Sequence, residues 1–472
     1  MEYDAVIIGS GPNGLAAGIE LAKNNFKVLI CEAKESIGGG LRSGEIISPG
    51  FNHDICAAVH PTARLSPFFK QLPLDKYGLK WIHPDYSLAH PLENQKAVLL
   101  KRSILDTAAD MGADNKSWVD LFTPLINNGD DLLFDTLGPL RIPRNKRTFL
   151  NFGIKGLLSA NYFSDLFFKE ERAKALFMGC AAHSILSLDK FFTAAVGMMF
   201  VVQGHLTNWP VVEGGSVNLI RAMSKYFQSL GGEIQTSMHI RRYEDLPISK
   251  TYLFDTDPRQ LAEISKNQLP KNYLKKLSKY SYGPGVFKLD FTLSDSIPWN
   301  DENCLKASTV HVGGSANEII VSEKNMWNGL HSEKPFIIVC QQSEFDSSRA
   351  PQGMHTGYAY CHVPHKSTKD MSKIIIDQIE RFAPGFKKNV IALRKSNTAD
   401  LATYNPNYYG GAITGGTADF TQLFTRPVMK LDPYSTPNSK IFICSASTPP
   451  GGGTHGMCGY YAARSVIKRL KR

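Results

Sequence analysis

The chain has 472 residues, 43% hydrophobic and 20% charged, a balance that suits a globular protein with room for two domains and substantial cores. Its 53 basic and 43 acidic residues leave a net charge of +10, but apart from Arg141–Arg147 and Lys468–Arg472 the basic residues are dispersed. That argues against a nucleic-acid partner and admits only a weak peripheral attraction to an anionic membrane surface; no apolar run reaches the ~20 residues of a membrane-crossing helix.

The first predicted element is a strand at Tyr3–Ile8, starting so early that no signal or transit peptide is expected before it. Val6, Ile7 and Ile8 are apolar on both faces, as in a buried parallel strand. The turn Gly9-Ser10-Gly11-Pro12-Asn13-Gly14 follows, and a helix from Pro12 carries Leu15, Ala16, Ile19 and Leu21 at helical spacing. Gly9 makes the sharp turn, Gly11 lets the backbone approach a pyrophosphate, and Gly14 allows close packing of helix on strand. A second strand, Val28–Ile30, runs into Glu32, an acid at the distance needed to reach ribose hydroxyls and to repel a 2′-phosphate. NADP is thereby disfavoured, while FAD and NAD both stay open. A second glycine cluster, Gly38-Gly39-Gly40, then precedes Leu41 and Arg42.

From about residue 75 to 205 the pattern is mainly helical, with apolar patches at Phe149–Phe168 and Phe191–Val202 that suit helix core, a tunnel for a lipid-like substrate or a membrane contact. Between 280 and 425, Val286–Leu293, Glu318–Val321 and Pro335–Val339 read as strands, with a helix near Met371–Phe382. Lys440–Ser445 is expected as a strand, followed by a turn rich in proline and glycine and a helix-like Cys458–Leu470 that sets a second helix N-terminus against a ligand. Gly451, Gly453 and Gly456 repeat the nucleotide spacing, but 16 residues then remain, too few for an NAD domain.

These motifs resemble the FAD-dependent amine oxidase superfamily. The glycine cluster after Glu32, the run S-A-S-T-P-P-G-G-G-T-H-G-M near the C-terminus and the segments 210–232 and 251–258 all correspond. The C-terminal run is similar to that of phytoene desaturases. Phe51–Pro61 (F-N-H-D-I-C-A-A-V-H-P) and Cys361–His365 (C-H-V-P-H) bring the chain closest to the group that contains pyridine nucleotide-disulphide oxidoreductase domain-containing protein two. The resemblance implies an α/β fold: a discontinuous Rossmann-like FAD-binding domain (1–75, 205–275 and 426–472) with an inserted α+β substrate domain (76–204 and 276–425). It assigns FAD to Gly9, Ser10, Gly11, Pro12, Asn13, Gly14, Glu32, Ala33, Gly39, Gly40, Leu41, Arg42, Ile240, Gly452, Gly453 and Met457. The superfamily's arginine position is occupied by Gly40; Arg42, two residues later, either supplies that charge from a different angle or is a solvated arginine.

The implied chemistry is hydride transfer from a hydrophobic, isoprenoid- or lipid-like substrate to flavin N5, with a quinone or oxygen as the final acceptor. A flavin amine oxidase and an FAD-stabilised interaction protein with little turnover are the alternatives. Lys288, in G-V-F-K-L-D-F, shares a strand face with Val286 and Asp290 and looks like the lysine that holds a water beside the flavin in amine oxidases; a solvated Lys288–Asp290 face is the plainer reading. His455 is the second catalytic candidate, as proton donor or as a cap on its turn, and His60, Tyr404 and Tyr409 are substrate-binding candidates. No metal is expected, because His362 and His365 lack a second ligand cluster. Eight cysteines never form C-x-x-C, which argues against disulphide chemistry and for a reducing compartment: the cytosol, with membrane association or a mitochondrial matrix as variants.

Overall fold

The computed structural model describes residues 2–471. Its two principal sheets comprise β1 (Tyr3–Ile8), β2 (Val28–Cys31), β3 (Tyr86–His90), β4 (Val98–Lys101), β5 (Glu233–Gln235), β6 (Ser249–Phe254), β7 (Gly285–Leu293), β8 (Ala307–Val312), β9 (Ile337–Cys340), β10 (His355–Val363), β11 (Val390–Ser396) and β12 (Ile441–Ile443).

The first sheet has the order β12-β6-β1-β2-β5, and every neighbour pair is parallel. Parallel strands need crossovers, and here helices cover the sheet. The helices Pro12–Ala22, Val217–Ser229 and Met457–Leu470 bury Leu15, Ile19, Leu219, Met223 and Val466 against Ala5, Ile7 and Ile30 on one face. Val6, Ile8 and Leu29 meet Leu261, Tyr273 and Leu277 on the other. Strand order reverses direction at β1, which leaves a crevice at its carboxyl end, the usual ligand position in such sheets.

The second sheet is mixed, with the order β11-β7-β10-β9-β8-β3-β4 and one parallel pair, β8 with β3. Phe287, Leu289, Phe291 and Val339 pack on Ile375, Ile379 and Phe382 of the helix Ser372–Phe382. The opposite face looks back toward the crevice and is walled by helices between 146 and 207. The expected fold class, a Rossmann-like α/β unit with an inserted α+β part, is what the chain adopts.

Two sequence expectations give way. Glu318–Val321 is not a strand but lies in the helix Ala316–Trp327, whose N-cap Ser315 accepts from Glu318 N–H while the Glu318 carboxylate accepts from Ser315 N–H. That capping box outweighs a short apolar run. Within the mainly helical 75–205 stretch, Tyr86–His90 and Val98–Lys101 are strands that extend the mixed sheet.

The crossing of the first helix over β1 depends on two glycines. Gly9 turns with φ +107°, a left-handed region suited to glycine, and a Cβ on Gly14 would collide with the Gly9 carbonyl oxygen. Gly14→Ala is therefore expected to destabilise the fold by ~1–3 kcal/mol, as overpacking does, seen as earlier unfolding in a urea titration. An unchanged midpoint would show that this crossing has slack.

Candidate active site

A cavity of about 1570 Å³ runs from the carboxyl ends of β1, β2 and β6 to the inner face of the mixed sheet. Small-molecule sites typically occupy ~300–1,000 Å³, so this one has room for more than a single modest ligand.

Its first end is the nucleotide loop. Gly9, Ser10, Gly11, Pro12, Asn13, Glu32, Ala33, Gly39, Gly40, Leu41, Arg42 and Ile240 all line it. Glu32 is buried and preset: one carboxylate oxygen accepts from Ser10 N–H (3.0 Å) and Ser10 Oγ–H (2.5 Å), the other from Lys34 N–H (2.9 Å) and Arg42 Nη2 (3.2 Å). Arg42 is neither solvated nor a free charge: it lines the cavity while its guanidinium donates to Ser36 O at 2.8 and 3.0 Å and to Gly39 O at 3.1 Å, fixing the glycine loop. Gly14 stays behind the lining and donates its N–H to Asp255 Oδ2 at 2.9 Å.

Asp255, at the end of β6, escaped the sequence reading although it stands in T-Y-L-F-D-T-D-P. It lines the cavity, and burial, with Glu32 adding to it, drives its carboxyl well above the ordinary range. Its signal was an acid directly after a buried parallel strand beside the glycine turn.

Of the two tyrosine assignments, that of Tyr409 is corrected. Tyr404 lines the cavity at its nucleotide end, where it donates its hydroxyl to Gly39 O at 2.9 Å and holds its ring 5.7 Å from Arg42. Tyr409 lies outside the cavity and stacks under Arg259, 3.3 Å from its ring centre. The tight turn sends the preceding side chain, Tyr408, inward beside Cys56 instead.

At the middle of the cavity stands Lys288, 4% exposed. It pairs with Asp290, donates to Asp54 O at 3.3 Å and lies 4.2 Å from the Tyr358 ring centre. Val286, Lys288 and Asp290 do share a face, but both faces of β7 are buried, so the solvated reading fails. Burial pushes the Asp290 carboxyl up even with Lys288 beside it. Close by, the fully buried Asp54 accepts from Arg349 (2.9 Å), Ser43 Oγ (2.6 Å) and Ser216 N–H (2.8 Å), and Arg349 also pairs with Asp346 at 2.6 Å. These partners, led by the Arg349 charge, hold Asp54 below the usual carboxylate range against the pull of burial. His60 lines the cavity and shares a 2.7 Å hydrogen bond with Ser216 Oγ, which itself donates to Ala57 O; Nε2 of His60 is therefore the donor.

The C-terminal turn forms the facing wall. Gly452 and Gly453 line the cavity. His455 and Met457 do not, and both assignments are corrected: His455 Nδ1 accepts from Met457 N–H (3.0 Å), its Nε2 donates to Gly451 O (3.2 Å), and the Met457 side chain sits in the core. His455 is thus a cap on the final helix, as its alternative reading had it. Arg426, which no pattern had marked, lines this wall at 1% exposure, donates to Gly416 O and Thr417 O, and keeps Nε without a partner.

Beyond Lys288 the helical walls are largely apolar, with Phe149, Phe152, Phe192, Met199 and Phe200 among them, so the helical patches divide between lining and core. Phe163, for instance, stacks on Phe177 at 4.5 Å in the core. At the mouth, Leu140, Leu150, Ile154, Phe420 and Leu431 line the cavity and are also exposed to solvent. All eight cysteines are unpaired. Among the described residues no cluster of three or more His, Cys, Asp or Glu side chains could hold a metal, and no helix is long and apolar enough to cross a membrane.

Comparison with known proteins agrees with this geometry. A family description, the NAD(P)-binding Rossmann-like domain, matches residues 7–72. Over its whole length the chain is 26% identical to pyridine nucleotide-disulfide oxidoreductase domain-containing protein 2 of Mus musculus, covering 94% of that protein. It is 21% identical to a limonene dehydrogenase polypeptide of Castellaniella defragrans, over 99% of this chain and 95% of that one. Among solved structures, an oxidoreductase from Methanosarcina mazei superposes with a TM-score of 0.67 at 14% identity, covering 99% of this chain and 100% of that chain. Putrescine oxidase bound to putrescine superposes with 0.62 at 16% identity, covering 100% of both. These relatives and neighbours are oxidoreductases, the fold is that of FAD-dependent amine oxidases, and the resemblance to that superfamily read from the sequence is borne out.

The site and its surroundings hold an unusual number of neutral histidines. Burial lowers His53, His60, His90, His205 and His455 to about 4 and His183 to about 3. An unfolded histidine titrates near 6.5, so the unfolded chain binds more protons as pH falls from there toward 4. Stability is fully present above that value and lost below it, by up to ~2 kcal/mol per histidine between pH 7 and pH 5. Urea unfolding at the two pH values checks this; equal midpoints would contradict neutral burial.

Proposed function

We propose that this chain is an FAD-dependent oxidoreductase of the phytoene desaturase-like kind, taking hydride from an apolar organic substrate. The observation that carries the reading is one cavity joining a nucleotide loop, a buried lysine and a long apolar chamber.

The residues at the first end fit FAD. Gly11 caps the helix Pro12–Ala22 without any side-chain hydrogen bond, and no acid stands in its first turn; Gly14 N–H is taken by Asp255, which leaves the Gly11 and Asn13 N–H groups for a pyrophosphate. Gly9 to Asn13 would hold that pyrophosphate, Glu32 and Ala33 the ribose, Ile240 the adenosine side, Gly39 to Leu41 the cover, and Gly452, Gly453 and Arg426 the ring end. When bound, FAD supplies the hydride acceptor. The protein's own part is placement. The apolar walls exclude water and orient the substrate, and Lys288, charge-balanced by Asp290, holds a proton-bearing group at a fixed point in the chamber.

The substrate class rests on the walls and on the name of one relative, the limonene dehydrogenase polypeptide. The flavin amine oxidase alternative has the shared fold of putrescine oxidase in its favour. Against it, the carboxylates beside Lys288 are already matched, Asp290 by Lys288 and Asp54 by Arg349, which leaves neither for a substrate ammonium. The exposed apolar mouth, flanked by Arg141, Arg144, Lys146 and Arg147, supports peripheral docking on an anionic membrane, from which substrate and a quinone acceptor would be drawn; oxygen is the other acceptor. The reducing cytosolic side of such a membrane suits the unpaired cysteines.

Purified protein is expected to be yellow and to release noncovalent FAD on heating; colourless protein that stays colourless after refolding with FAD would end this reading. For Lys288, the informative variant is Lys288→Met combined with Asp290→Asn, since removing the lysine alone strands a buried carboxylate. Reoxidation of the reduced flavin by oxygen should slow on the order of 100-fold in stopped flow if Lys288 positions the proton-bearing group. An unchanged rate removes that role.

A further inference from the structure

Beyond Lys288, the mixed sheet carries a polar wall that the reading above does not use. Cross-strand pairs put Lys288 of β7 opposite Tyr360 of β10, Tyr360 opposite Ile338 of β9, and Ile338 opposite His311 of β8. Residues in one such row share a face, and three strand spacings set His311 about 14 Å from Lys288 along the sheet. His311 is fully buried, and its Nε2 stands 3.0 Å from Nε2 of His183, whose ring lines the cavity, stacked on Phe200 at 4.3 Å and edge-on to Trp209 at 5.7 Å.

The proton positions in this pair follow from what surrounds them. Of the two facing Nε2 atoms, one carries hydrogen and the other accepts it. His311 Nδ1 faces Gly179, where even a Cβ would touch it, and has no hydrogen-bond partner. A proton there would be an orphaned donor in the interior, which proteins avoid more strongly than an under-used acceptor. His311 therefore carries its proton on Nε2 and donates it to His183, whose own proton is displaced to Nδ1. His183 Nδ1 is not among the enclosed unpartnered atoms, so this N–H opens on the cavity. Trp209, 1% exposed, keeps its indole N–H enclosed, so its ring adds an apolar edge to the same wall and no donor.

We propose that His183, its proton set by His311, forms a recognition site for a carbonyl oxygen on an otherwise apolar molecule, at the far end of the chamber from Lys288. The site presents one N–H donor in an apolar surround, which matches a ketone, ester or quinone oxygen and leaves a hydrocarbon without a polar anchor. Burial keeps His183 and His311 neutral, so an ionic head group would lose its hydration here without gaining a counter-charge. The proposal rests on the oxidoreductase reading and names what that chamber selects: either the oxidised substrate or the quinone that takes its electrons.

Equilibrium dialysis of the FAD-loaded protein against 2-ethylnaphthalene, 2-acetylnaphthalene and menadione tests it without any turnover. The carbonyl compounds should bind about five- to tenfold more tightly than the hydrocarbon, the yield of one well-placed hydrogen bond. Preference for acetylnaphthalene marks a substrate site and preference for menadione an acceptor site; equal binding of all three compounds overturns the proposal. His183→Phe should abolish the preference while leaving 2-ethylnaphthalene affinity unchanged, and His183→Gln, which keeps a donor, should restore most of it. Equal weakening of all three ligands in His183→Phe would show a merely structural role and would also overturn the site. Because the protein is already yellow in this experiment, its failure leaves the FAD reading standing.

Discussion

The contact on which the rest of this structure depends is the close crossing of the first helix and the last. Gly459 of Met457–Leu470 lies directly against the carbonyl of Asn13 in Pro12–Ala22, so near that any Cβ would overlap it. Two helices can approach to that distance only through a glycine. The crossing clamps the ends of the polypeptide together, with β1 and β12 separated only by β6 in one parallel sheet. It thereby brings both glycine turns to one crevice, which neither end could form alone.

From that crevice the remaining chemistry is a matter of burying charge in balanced groups. Glu32 is matched by Ser10, Lys34 and Arg42, Lys288 by Asp290, and Asp54 by Arg349. An unpaired ion in such surroundings would be costly, and an isolated carboxylate would neutralise instead. Asp255, which has no cation beside it, shows that second outcome in its raised carboxyl.

The nucleotide half of the molecule was legible in the sequence because its physics is local. A strand, a glycine turn and a helix N-terminus announce themselves within about thirty residues, and Gly9 to Glu32 take the positions their spacing demands. Side chains whose roles depend on distant partners were not legible. Arg42 looked like a spare charge until Ser36 and Gly39 took its hydrogen bonds, and His455 looked reactive until Met457 N–H and Gly451 O claimed both ring nitrogens. Arg426, Asp255 and the His183–His311 pair belong to no motif, since each is defined by what the tertiary fold sets against it. The helix at Ala316–Trp327 is a milder case: its capping box was present in the sequence, but an E-I-I-V run read in isolation has no period long enough to separate helix from strand.

Arg349 reaches across three stretches of chain. It holds Asp54 near the N-terminus, its neighbour Asp346 binds Gly214 N–H, and its guanidinium also donates to Val212 O. Clamshell opening between the nucleotide sheet and the mixed sheet would have to part these buried contacts together, which makes it a poor route for exchanging ligands. Traffic must then pass through the greasy rim at Leu140, Leu150 and Phe420 while the frame stays shut. An enzyme built this way admits cargo by the flicker of a few side chains and short helices, so the pace of turnover answers to the portal and not to a hinge.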